Sequence, residues 1–303
     1  MQALSRRQLI VLVLLTLVWG INWPIMKLGV TDFPPLTFRT LSMWIGLPFL
    51  ALVLVWRRVP FRIERAHWRE VGVLTLFNML IWHTLVMLAL QTLSGGRTAI
   101  LGYTMPVFSA MVGAWWFGQW LPGRAWGGVA AAGTGVVLLL WHEITQLSGG
   151  PMGVAMMLLA ALAWALGTQM LRRTRLPEST LTISFWMTVI TMVWMTLLSM
   201  LFEREAWAWP TLPVWGAIVY NALGVFAFAQ VAWLTLARDL PPIASTLSVM
   251  FIPVLGVFSG ALWLGEVLHW QDWAAVILIM VAIASVLWPP RSTAARVAAP
   301  RGG

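Results

Sequence analysis

Few side chains in this sequence can do chemistry, and most that can are set inside long apolar runs. His83 is the only one of the 4 histidines well inside such a run. A shift of 147 residues places Gln230 opposite it. A neutral imidazole both donates and accepts, and an amide does the same, so the pair can bind a polar solute without carrying a proton. A buried histidine also serves as an ordinary satisfied structural residue, and both readings stand at this stage. Trp19, Asn22, Trp23 and Met26 recur at spacings of three and four, which puts them on one helical face. Trp164, Gly167 and Thr168 form a similar set further on, and Asn78, Tyr103, Tyr220 and Asn221 add amides and phenols. Aromatic walls with amide partners suit a zwitterion bearing an apolar side chain. They also suit an organic cation, which a ring face attracts.

Charges are scarcer. A central charge costs roughly 2.5–3.5 kcal/mol on membrane-insertion scales, and no Asp or Glu falls near the middle of an apolar run. Glu266 lies at the end of one and reads as a partner for a loop or helix end. Lys27 and Arg39 lie toward one end of their runs. They can extend to the interface as amphipathic side chains do, or line a vestibule and attract carboxylates. There is no His-Glu-x-x-His, Gly-x-Ser-x-Gly or Gly-Lys-Ser phosphate loop. We therefore expect no catalytic residues, no metal site, no cofactor and no ATP hydrolysis. The segment Arg57–Arg69, with Glu64 and His67, is the one surface cluster an embedded lipid-modifying enzyme could use, and its simpler reading is loop charge.

The elements that must position these residues follow from composition. Of 303 residues 60% are hydrophobic and 10% charged, whereas soluble domains carry about 25% charged residues. So few charges cannot cover a water-facing surface, but a hydrocarbon-facing one needs none. Runs of roughly 20 apolar residues, enough to cross a bilayer as a helix, occupy 9–28, 36–55, 71–91, 97–119, 124–141, 152–171, 180–201, 213–237, 241–264 and 272–288. The expected fold is an all-α integral membrane protein of ten transmembrane helices with brief connections. The first run, preceded by Arg6 and Arg7, lacks a small-residue cleavage site and reads as an uncleaved helix. With the N-terminus cytoplasmic, only Lys27, Arg39, Arg97 and Arg204 of the 19 lysines and arginines fall on the outer half. The positive-inside rule therefore places both termini in the cytoplasm. The net charge of +9 is topological under this reading and implies no nucleic-acid partner. Eleven tryptophans near run ends, among them Trp56, Trp120, Trp209, Trp270 and Trp288, suit an interfacial belt. Trp19, Trp23, Trp82, Trp164, Trp186 and Trp233 lie deeper and point to a polar interior, where an indole N–H finds a partner.

The two halves resemble each other. The 147-residue shift aligns Pro106 with Pro253, Gly113 with Gly260, Gly118 with Gly265, Gln119 with Glu266 and Trp126 with Trp273. Local shifts of 145 and 143 pair Trp19 with Trp164, and Phe77-Asn78 with Tyr220-Asn221. The expected units are a first repeat at 1–145, a second at 146–290 and a disordered tail at 291–303. Five helices per repeat is an odd number, so the second copy enters from the opposite side. Inverted repeats of this kind enclose a midplane site in secondary transporters. Pro24, Pro106 and Pro253 are the candidate bending points. The small-residue patterns Gly127…Ala131…Gly135 and Gly256…Gly260 read as packing within a monomer.

Pro253…Gly260…Leu264-Gly265-Glu266, its copy Pro106…Gly113…Gly118-Gln119, and Trp19-Gly20-Ile21-Asn22-Trp23 resemble the EamA-type repeats of the drug/metabolite transporter superfamily. The resemblance spans roughly 9–288. In length and deep aromatic content the chain is similar to the YddG-like aromatic amino-acid exporters. The resemblance implies a multi-pass protein of the bacterial cytoplasmic membrane that exports small metabolites, amino acids foremost, by alternating access, with helices 1, 3, 4, 6, 8 and 9 around the cavity. A drug or organic-cation exporter is the alternative. Proton-coupled small multidrug members of the superfamily use an intramembrane glutamate. None is present in the first helix, which implies facilitated export, with His83 the one titratable group placed for coupling. Gln119, where the second copy has Glu266, departs from the repeat pattern.

Overall fold

The structure, a computed structural model, describes residues 5–146, 151–236 and 242–287, with side chains throughout except at 142–146, 234–236, 242–249 and 287. The sequence positions expected to form the tail, and Trp288, lie outside it. Among the described residues all regular structure is helical.

Ten helical runs follow one another: α1 (Arg6–Thr31), α2 (Pro35–Trp56), α3 (Arg65–Thr92), α4 (Gly95–Phe117), α5 (Gly123–Gln146), α6 (Pro151–Leu171), α7 (Thr180–Phe202), α8 (Leu212–Trp233), α9 (Pro242–Leu264) and α10 (Trp270–Leu287). Eight are long and apolar enough to cross a bilayer; over their described side chains the last two form shorter apolar helices, Met250–Leu264 and Trp270–Val286. The outer surface carries bare apolar side chains such as Leu52, Phe258, Leu262 and Ile277, each more than half exposed. In water that surface would be unfavourable at about 25 cal/mol per Å²; against acyl chains it is not.

Helix starts are marked by residues that satisfy the free N–H groups of the first turn. Ser5 and Gln8 form a reciprocal capping box on α1, and Ser94 and Ser179 cap α4 and α7 through Arg97 and Thr182 N–H. Proline opens α2 and α8, where its missing N–H costs nothing. Gly118 and Gly265 end α4 and α9 in the left-handed region, at φ 61° and 65°. After each, the next N–H reaches back to Gly113 O (2.9 Å) or Gly260 O (3.4 Å). The same residue pair therefore makes the same turn in both halves.

The packing is symmetric under exchange of the halves. α1 lies against α9 as α6 lies against α4; α3 meets α6 as α8 meets α1; α2 with α7, α4 with α9, and α5 with α10 are pairs of equivalents. Each half also carries a π-helical stretch, Leu76–Leu80 in α3 and Tyr220–Ala229 in α8. In these stretches Asn78 and Asn221 each donate from Nδ2 to the carbonyl four residues back, Leu74 O and Ala217 O, both at 3.1 Å.

Small residues set the closest approaches. A Cβ on Gly256 would stand 2.7 Å from Ala99 Cβ, and one on Gly20 2.5 Å from Leu255 Cβ, so α1, α4 and α9 meet nearly backbone to backbone. On α5 the contact with α10 runs through Gly128, not Gly127, which faces open space. The expected Gly127…Ala131…Gly135 stripe is thus displaced by one residue at its start, because the period of 3.6 carries Gly128, Ala132, Gly135 and Leu139 onto the buried face. Both stripes pack within the chain.

Candidate functional site

A cavity of about 120 Å3 lies between the two halves. α1 contributes Trp19, Asn22, Trp23 and Met26, the face expected from their spacing. α3 contributes Met79, Trp82, His83 and Val86, which follow the same helical spacing around His83. Tyr103 and Met105 come from α4, Trp164 from α6, and Val225, Phe226 and Gln230 from α8. Arg39 enters from α2. The cavity is comparable with the roughly 150 Å3 dry void that admits a benzene ring in an engineered protein.

Its walls are aromatic. Trp82 and Trp164 contact at a centroid distance of 5.0 Å, Trp23 meets Tyr103 edge-on at 6.4 Å, and Trp19 is backed by Trp233 at 5.6 Å. Such tilted and edge-on pairs are the favourable arrangements. Tyr103 sits where α4 breaks: the chain leaves the helix at Tyr103–Thr104 and restarts at Met105, with Pro106 in the first turn of the new segment. Val107 and Phe108 N–H both return to Thr104 O at 3.0 Å. Its repeat mate Pro253 sits inside an unbroken helix, and Pro24 lies buried within α1 against Gly95 of α4.

Four polar atoms of the cavity residues are buried without a hydrogen-bond partner: Asn22 Oδ1, Arg39 Nε, and both ring nitrogens of His83. Buried polar groups are nearly always satisfied, so each unsatisfied one requires an explanation. His83 rests against the Phe226 ring at 5.7 Å. Arg39 is 2% exposed. It donates from Nη1 to Asn221 Oδ1 at 3.2 Å, touches Met26 Sδ with Nη2 at 2.8 Å, and stands with Cζ 5.5 Å from the Phe226 centroid. Neither interfacial extension nor an open vestibule describes it. Lys27 is elsewhere: it donates to Leu90 O at 2.7 Å and ties α1 to the end of α3.

Of the binding residues expected from sequence, Trp19, Asn22, Trp23, His83, Tyr103, Trp164 and Gln230 are brought together here. Three are not. Asn78 serves the π-helical stretch and packs on Gly167, where a Cβ would come 2.8 Å from the Asn78 backbone nitrogen. Tyr220 does not line the cavity and donates to Val18 O at 2.8 Å. Thr168, a residue further round α6 than Gly167, does not line it. Two deep tryptophans also differ from expectation: Trp186 donates to Phe61 O at 2.6 Å beside Trp68, and Trp233 only backs Trp19. Helix 2 lines the cavity through Arg39, whereas no described residue of α9 does; α9 packs behind α1. The additions include Arg39, Met79, Trp82, Val86, Met105, Val225 and Phe226; the signal for Met79 and Val86 was their place four residues before and three after His83.

The charged clusters outside the cavity hold helix ends. Glu266 accepts from Gly95 N (2.6 Å) and Gly96 N (3.0 Å) at the start of α4. Beside it Arg97 pairs with Asp272 at 2.8 Å. Glu203 accepts from Leu36 N and Thr37 N at the start of α2. His67 Nδ1 lies 2.7 Å from Glu178 Oε1, which also accepts from Glu64 N–H. The Arg57–Arg69 cluster is therefore engaged in tying α3 to the α6–α7 connection, and among the described residues no three potential metal ligands converge.

Two symmetric halves around one cavity, repeated turn for turn, match a known arrangement: the EamA-like transporter family model covers residues 6–141 and 151–288. The chain belongs to the EamA-like transporter family. It is a multi-pass membrane transporter. This EamA-like chain is 26% identical over 253 residues to an uncharacterized transporter, YoaV, of Bacillus subtilis, covering 83% of the one and 86% of the other. It is 24% identical to a probable amino-acid metabolite efflux pump of Escherichia coli, over 92% of this chain and 94% of that one. A protein crystal structure shares the fold at a TM-score of 0.66 and 20% identity, covering 93% of this chain and 98% of its own.

Proposed function

We propose that the protein exports small amphipathic metabolites, amino acids with apolar side chains foremost, from the bacterial cytoplasm across the inner membrane by alternating access. The observation that carries this reading is the cavity: it lies between the two repeats and joins an aromatic wall to unpartnered polar atoms on different helices. The similarity to a probable amino-acid metabolite efflux pump supports the substrate class. Under this reading all ten helices cross the bilayer, the two five-helix repeats are inverted, and both termini are cytoplasmic, as the arginine bias requires. The symmetric packing lets the same contacts form on either side of the cavity in turn, which is what rocking of inverted repeats uses. No carboxylate lines the cavity among the described residues, which supports facilitated movement down the solute gradient over carboxylate-mediated proton exchange.

Counterflow in proteoliposomes tests this. Vesicles preloaded with unlabelled leucine or phenylalanine are expected to accumulate the labelled amino acid transiently, at a rate indifferent to an imposed pH gradient. Folded protein that counterflows no amino acid would refute the substrate assignment. Counterflow that needs a pH gradient would refute the facilitated mechanism.

A further inference from the structure

Among the described residues Arg39 is the one charged side chain that lines the cavity, and its charge is uncompensated. Among the described residues no carboxylate pairs with it. Its hydrogen bonds are one to an amide oxygen, Asn221 Oδ1, and one to a thioether, Met26 Sδ. Removing an unpaired charge from water costs several kcal/mol after relaxation, and a membrane interior aggravates this. Such residues persist in membrane helices where a function holds them.

The geometry identifies which edge of the guanidinium lacks an oxygen acceptor. Nη1 is committed to Asn221. Nε has no partner, and Nη2 has only the weakly accepting sulfur. The Nε–Nη2 edge is thus a planar two-donor fork, the shape a carboxylate fills with two parallel bonds. The Phe226 ring lies 5.5 Å from Cζ. Met26, which touches Nη2, is four residues from Asn22 on the same face of α1, a rise of about 6 Å. Asn22 Oδ1 is a buried acceptor with no donor. A donor fork for an anion and a bare acceptor therefore line one aromatic cavity, the fork beside Met26 and the acceptor one turn earlier on α1, where the carboxylate and the ammonium of one α-amino acid could each find a partner.

We propose that Arg39 is the carboxylate anchor of the cavity and Asn22 Oδ1 its ammonium acceptor, so that the site selects zwitterions with an apolar side chain and rejects amines and amides of the same shape. This rests on the transport reading above and gives that site its ligand chemistry. It also sets the site against organic cations, since a fixed positive charge repels them however well the rings would hold them.

The test is isothermal titration of the purified full chain in detergent with L-phenylalanine, L-phenylalaninamide and phenethylamine, and with the corresponding leucine series. The acids are expected to bind, and loss of the carboxylate to weaken binding at least about tenfold, the effect of one hydrogen bond to a charged group. Arg39→Lys keeps part of this preference and Arg39→Gln abolishes it. Amides or amines binding as tightly as the acids would overturn the anchor, as would an Arg39→Gln protein that still discriminates. The wild-type ligand series decides by itself if Arg39→Gln does not fold. Failure of every acid to bind, in protein that counterflows some other solute, overturns the anchor and the amino-acid assignment and leaves transport standing. Absence of any counterflow overturns the transport reading as well.

Discussion

Asn22 and His83 carry polar atoms that no group among the described residues satisfies, and this separates their roles from that of Asn78. Removing an unsatisfied acceptor costs the fold little, because no partner is left behind. Asn22→Ala is therefore expected to leave the melting temperature nearly unchanged and to raise the half-saturation of amino-acid counterflow about tenfold. His83→Gln keeps a donor and an acceptor of similar reach. It is expected to alter affinity while leaving the pH profile of counterflow flat through the imidazole range; a profile that His83→Gln removed would instead make the imidazole a proton carrier. Asn78 is tied into the backbone and wedged against Gly167. Gly167→Ala forces the two apart and is expected to destabilise by about 1–3 kcal/mol, the usual cost of overpacking, measured as a lower midpoint of thermal unfolding. The sequence placed Asn22 in the site because spacing on a regular helix is readable, and His83 because it lies deep in an apolar run with Gln230 opposite it under the 147-residue shift. It placed Asn78 and Tyr220 there wrongly because both sit in π-helical stretches, where the extra residue rotates the face and the 3.6 period no longer tells which side chains point inward. Arg39 was visible as a charge near a run end, but its burial depends on Asn221, 182 residues away, and no local pattern encodes that.

At the scale of elements, the repeat motif proves to be a turn with a job. Gly265 reverses the chain after α9 and presents Glu266 to the free N–H groups of α4. A carboxylate at a helix N-terminus is favoured by both hydrogen bonding and the helix dipole. Glu266→Ala is expected to cost about 0.5–2 kcal/mol, as loss of a cap does, and Glu266→Gln less, since its amide oxygen still accepts. The measurement is thermal unfolding in detergent, and an unchanged midpoint for Glu266→Ala would contradict the role. The motif's residues were readable from the repeat and its role as a helix-end partner was among the sequence readings; the recipient was not, because α4 lies some 170 residues earlier. The break in α4 at Tyr103–Thr104 was half visible as Pro106. The same proline mark at Pro253 leaves its helix unbroken, so the residue alone does not decide.

Taken whole, the molecule is two copies of one five-helix pattern whose packing partners exchange when the halves are exchanged. This was the most legible feature of the sequence, since ten apolar runs and a 147-residue shift survive wide divergence of the side chains. The cavity's composition was less legible, because six helices from both halves supply it and two of them, α2 and α6, contribute a single residue each. The central claim is that this cavity is the route of the transported solute. The chain has no cysteine, so a single one can report it. Val225→Cys places a thiol in the cavity, and Leu52→Cys, 62% exposed on the outer surface, serves as the control. Each would be reconstituted and treated with a bulky thiol reagent before counterflow of labelled leucine is measured. The expected result is loss of counterflow for Val225→Cys, prevention of that loss by excess leucine during treatment, and no effect for Leu52→Cys. Full counterflow by Val225→Cys protein shown to be quantitatively modified would contradict the claim.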